Sequence, residues 1–154
     1  MHKKLACAAV VAMASFAPSV YAATAPALFS GAVTSTCVLT VGTPGLITAN
    51  ADFTQLSSDN AGGLESTVSA LSTGVGFKVS AIAPSSFTTG PSTADSFASK
   101  YTLSGATTAS NIAGATTTTI AAGVTQVSVD LEAAKSSGNF NAGAYTAAVT
   151  VRCE

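Results

Sequence analysis

The sequence has no tryptophan, one histidine, three cysteines and a charge on only 8% of its residues. Each shortage excludes something. The histidine is His2, inside a start that reads as an export signal: a cationic Met1-His2-Lys3-Lys4, an apolar run from Leu5 to Ala17, a helix-breaking Pro18, and small residues at Val20 and Ala22 where a secretory peptidase reads. The apolar run is too short to span a bilayer. The expected organisation is therefore a signal peptide over residues 1–22 and a single domain over 23–154. That domain has no histidine, so Ser–His–Asp and Cys–His nucleophiles are excluded, and histidine metal ligands with them. A Ser-x-x-Lys acylation pair is absent too, because Val75, Phe97 and Glu132 stand three residues before the lysines. No catalytic, cofactor-binding or metal-binding residue is assigned, and the chain is not expected to be an enzyme.

Charge is equally restrictive. After the expected cleavage the cations are Lys78, Lys100, Lys135 and Arg152, against Asp52, Asp59, Glu65, Asp95, Asp130, Glu132 and Glu154. Four scattered cations do not neutralise a nucleic-acid backbone or hold an anionic membrane, both of which need clustered Lys and Arg. Nucleic acid is excluded as a partner, and the mature chain is not expected to insert into a membrane. Asp52, Asp59 and Glu65 lie near Asn50 and Asn60, the oxygen-ligand chemistry calcium favours. Their spacing fits no calcium loop, and they read as a solvated rim.

Cys7 falls in the export segment, and almost no apolar run precedes it, so it does not read as a lipid-attachment site. Cys37 and Cys153 remain, an even number in a chain expected to be exported, which reads as one disulfide. It would close a loop of 116 residues, nearly the whole domain, and bring the first and last core strands side by side.

The dominant periodicity is two, the mark of strands with one buried face. Val75, Phe77, Val79, Ala81 and Ala83 alternate with Gly76, Lys78 and Ser80; Val127, Val129, Leu131 and Ala133 with polar residues; Tyr145, Ala147, Val149, Val151 and Cys153 likewise. Cys37, Leu39 and Val41 share a face near the start. Weaker strands are expected around 64–71, 99–104 and 117–121. Turn chemistry separates them at Gly42–Gly45, Asp59–Gly63, Ser137–Asn139 and Asn141–Gly143. The expected fold is all-β, an immunoglobulin-like antiparallel sandwich of about seven strands, with a closed barrel as the alternative. Gly74-Val75-Gly76 reads as a bulge or turn rather than a phosphate loop, because it sits in an alternating stretch and not before a helix. Residues 84–98 make the longest loop, which Phe87 and Phe97 either pin to the core or present to a partner.

At its two ends the chain resembles a known group. Phe29-Ser30-Gly31-Ala32-Val33-Thr34-Ser35-Thr36-Cys37-Val38-Leu39 is similar to the opening of bacterial fimbrial subunits and of the spore coat protein U group. Ala142-Gly143-Ala144-Tyr145-Thr146-Ala147-Ala148-Val149-Thr150-Val151 is similar to their closing strand. The resemblance implies an exported subunit of the periplasm or cell surface that assembles with copies of itself, or with another surface subunit, by donating a strand. Ala27, Phe29, Gly31 and Val33 would be the donated face. The disulfide pulls the other way. A missing strand leaves its neighbours about 9.5 Å apart, which no disulfide reaches across. A Cys37–Cys153 bridge therefore argues for a self-contained binding domain that does not polymerise, unless it lies beyond the end of the gap.

Overall fold

The computed structural model describes residues 23–154; the export segment expected at 1–22 lies outside the described residues. Residues 32–154 make one compact unit, and residues 23–31 fall outside it. The fold is all-β. Its strands are β1 (Cys37–Val41), β2 (Thr48–Ala49), β3 (Gln55–Ser57), β4 (Ser66–Ser72), β5 (Lys78–Ile82), β6 (Ser96–Gly105), β7 (Ala109–Ala113), β8 (Thr118–Thr119), β9 (Gly123–Ala134) and β10 (Thr150–Cys153).

The spine is β9, whose strict alternation buries Thr125, Val127, Val129, Leu131 and Ala133 and turns Gln126, Ser128, Asp130 and Glu132 outward. Along one edge it pairs with β4 and then β3; along the other it pairs with β6 over ten residues. Beyond these, β1 adds to β4, β2 to β3 and β7 to β6, giving seven antiparallel strands. A second, three-stranded antiparallel sheet has the order β10-β5-β8. The main core lies where Val68 and Ala70 of β4, Leu103 of β6, and Val127 and Val129 of β9 meet Val79 and Ala81 of β5.

Hydroxyl groups tie the small sheet to the large one. Tyr101 of β6 is fully buried, and its Oη lies 3.1 Å from the Val79 carbonyl, 2.8 Å from the Thr116 carbonyl and 2.7 Å from Thr118 Oγ1. Ser99 Oγ donates to the Ala81 carbonyl at 2.5 Å. A buried carbonyl left without its donor costs about 1–3 kcal/mol. Tyr101→Phe is therefore expected to lower unfolding free energy by about that much in a urea titration. A loss under about 0.5 kcal/mol would show that the hydroxyl is not the tie.

A second cluster joins Leu56, Ala133 and Phe140 to Phe87, Phe97 and Tyr145. Phe87 packs at 4.9 Å from both Phe97 and Tyr145, and Phe140 at 5.5 Å from Tyr145. Edge-to-face and tilted packing of this kind adds to plain burial. The loop expected over 84–98 ends before Ser96, since Phe97 already belongs to β6, and Phe87 alone pins it to the body.

Several expectations change. The strand expected from Val75 begins only at Lys78; Val75 is 86% exposed in a Gly74–Gly76 turn, where Gly76 takes φ +92°. Between 117 and 121 only Thr118 and Thr119 form a strand, and Ile120 plugs the core. Among the described residues there are ten strands, not about seven, because β2, β3 and β7 fall where no strand was expected. The strands divide into two sheets rather than closing as one barrel.

Candidate functional site

Among the described residues β1, β2, β7, β8 and β10 have a partner on one side only, and the first and last of these border one gap. Among the described residues β1 pairs with β4 alone, and β10 with β5 alone. Their hydrogen-bond phase says which groups are left over. Lys78 and Glu154 exchange backbone bonds at 2.7 and 3.0 Å, in register with Arg152 opposite Ser80 and Thr150 opposite Ile82. Even-numbered residues of β10 therefore face β5, and Val149, Val151 and Cys153 turn their N–H and C=O groups to the other edge. On β1 the Thr73 N–H donates to the Thr36 carbonyl at 2.9 Å and the Gly42 N–H to the Thr67 carbonyl at 2.8 Å. There too the even positions are taken, and Cys37, Leu39 and Val41 face outward.

The same residues aim their side chains inward, because both alternations have period two. Each lip thus offers unpaired backbone and apolar side chains from one set of positions. Both lips run on past the strands. Leu46 bridges Leu64, and Thr146 bridges Thr89, each on the side away from the gap. Between them lies an apolar groove of about 390 Å³, with Val68, Val129 and Leu131 lining it between lips at Val41–Ile47 and Tyr145–Val151. A second hollow of about 620 Å³ adjoins it, sharing Leu46, Ile47 and Tyr145 and continuing to Phe53, Phe140 and Ala144.

The open gap explains exposures that alternation alone did not foresee. Val41, expected to be inward, is 79% exposed, and Tyr145, Ala147, Val149 and Val151 are only half-buried. Their side of the core lacks a cover.

The Cys37–Cys153 disulfide forms, with a Cα–Cα distance of 6.2 Å. It joins the start of β1 to the end of β10, and the groove opens on the far side of it, where Val41, Val149 and Val151 line the cavity. The bridge therefore closes one end of the groove instead of filling it. The condition under which it would argue for a self-complete sandwich is not met.

Ala27, Phe29, Gly31 and Val33 lie in no strand and all are exposed, Phe29 at 96%. Leu28, on the opposite side of that alternation, is 92% exposed as well, and the sequence reading passed over it. The acidic residues do not converge: Asp52, Asp59 and Glu65 are each exposed, and among the described residues no three His, Cys, Asp or Glu groups gather as a metal site would need. Ser58, on the groove wall, is occupied, donating to Asp130 Oδ1 at 2.8 Å and accepting from the Leu131 N–H at 3.1 Å. Asp95 accepts from Ser136 Oγ at 2.6 Å and from its N–H at 2.7 Å, and those bonds hold its carboxyl below the usual range. It staples a surface turn.

No protein family, curated protein or solved structure matches the chain.

Proposed function

We propose that the chain is a non-catalytic, exported structural subunit of the bacterial envelope, pilin- or coat-like, and that it assembles by strand donation. In this reading its immunoglobulin-like sandwich is one strand short until residues 23–33 of another copy fill the groove. The observation that carries it is the pairing of two complements in one sequence. One is a groove with an unpaired backbone edge on each lip and an apolar floor. The other is an exposed, unpaired stretch in which Ala27, Phe29, Gly31 and Val33 share one side of an extended chain.

The dimensions agree. At about 3.3 Å per residue, the six steps from Ala27 to Val33 span about 20 Å, the same as the six steps from Tyr145 to Val151. Added strands bind through main-chain hydrogen bonds, with alternate side chains filling pockets. Direction follows from the disulfide. With the groove closed at Cys37–Cys153, a donated segment leaves by the mouth at Ile47 and Tyr145, where it rejoins its own body. It would run antiparallel to β10 and parallel to β1.

Material sheared from the surface of intact cells is the test. The expected result is a ladder of multimers that survives detergent without heating. A protein found only as a monomer, on cells and in solution, would instead be a self-contained binding domain, and strand donation would be wrong.

A further inference from the structure

Resting on the strand-donation reading, we infer that the Val75 turn of each donor body seats in the hollow lined by Leu46, Phe53, Phe140 and Ala144 of the copy that receives its strand. Chain length forces the two bodies together. The donated face ends at Val33, and the next residue is already fixed to its own body: Thr73 Oγ1 donates to the Thr34 carbonyl at 2.7 Å, and the Thr36 N–H donates to Thr73 Oγ1 at 2.8 Å. One residue, about 3.3 Å of chain, separates the groove mouth from that anchor. No room is left for a spacer, so whatever flanks Thr73 on the donor meets whatever surrounds the mouth on the acceptor.

Flanking Thr73 is the Gly74–Gly76 turn. Ser35 lies so close to Gly74 that a Cβ there would overlap Ser35 Oγ, which keeps the turn against the departing chain. At its tip Val75 is an exposed apolar side chain between two glycines, one of them in a backbone conformation that other residues rarely adopt. Around the mouth is the second hollow, with Leu46 and Phe53 each at least half exposed. Donated residues spanning Tyr145 to Val151 occupy the first groove and leave this hollow free for the tip. An apolar tip and an apolar hollow at one forced junction make a body-to-body contact that fixes the angle between successive copies.

Photo-crosslinking of the assembled mature protein tests this, with a benzophenone amino acid placed at position 75 in one preparation and at position 29 in another. The expected adducts link position 75 to peptides holding residues 46–56 or 140–145 of a neighbouring copy. Those at position 29 link to residues 145–151. Adducts at 29 with none at 75, or with 75 attached elsewhere, overturn the docking and leave strand donation standing. Loss of both overturns strand donation, and the docking with it. Val75→Asp gives a second readout: the association constant of each donor–acceptor junction, the dimer's included, is expected to fall about tenfold, as losing one buried valine contact implies. An unchanged ladder in that variant counts against the contact.

Discussion

Deletion of residues 23–33 is expected to abolish the multimer ladder and to lower the melting temperature of the protein that remains. The groove floor of Val68, Val129 and Leu131 then has no cover, and the edges of β1 and β10 have no partner. A point substitution isolates the cause. Burying a phenylalanine side chain contributes about 2–3 kcal/mol, so Phe29→Lys is expected to weaken assembly about 30- to 150-fold, read as the protein concentration at half assembly. Leu28→Lys is the control. It sits on the other side of the alternation and is expected to change assembly by less than about threefold, since solvent-facing substitutions stay within about 0.5 kcal/mol. A ladder that persists without 23–33 would show that this stretch is not the donor.

Loss of the disulfide is expected to have the largest effect on the body itself. For a closed loop of 116 residues, chain entropy gives a stabilisation of about 5 kcal/mol. Whole domains are stable by only about 5–15 kcal/mol, so Cys37→Ser is expected to lower the melting temperature by about 15 °C. Cys153→Ser and the double variant should match it, because either single change removes the whole bridge. Separate decrements that add would mean that the cysteines contribute as packed thiols. A functional loss is expected alongside. β1 and β10 belong to different sheets, and the bridge holds their ends 6.2 Å apart at the closed end of the groove. Once it is cut, the lips lose their fixed spacing, and ladder formation is expected to fall even at temperatures where the body stays folded.

What was legible in the sequence was what period two encodes. In β9 the alternation of Val127, Val129, Leu131 and Ala133 gave both the strand and its inward face, and all four are buried although Val129 and Leu131 border the groove. The disulfide was legible from cysteine count and an expected export signal. Val41 and Val75 show the limit. Alternation says that apolar residues share a side, not that anything lies opposite. Val41 faces a gap, and Val75 continues the rhythm of β5 although it stands beyond the turn at Gly76, three residues before the strand begins at Lys78. β2 and β8, two residues each, carry no period at all and exist only because longer neighbours offer an edge. The groove was beyond reach for a similar reason. It is made by the relative placement of Val41–Ile47 and Tyr145–Val151, segments a hundred residues apart, and local pattern does not encode where two edges stop short of each other.

The position of β9 along the chain has a consequence for how the protein is made. Three strands, β3, β4 and β6, dock on it, yet it begins only at Gly123. A ribosome that has delivered everything before that point has produced loose hairpins and nothing for them to condense on. Such non-local wiring slows folding, since distant pairings pay loop closure before they are rewarded. The strands made earlier therefore lack their central partner until β9 itself has been made, and folding is expected to wait for it.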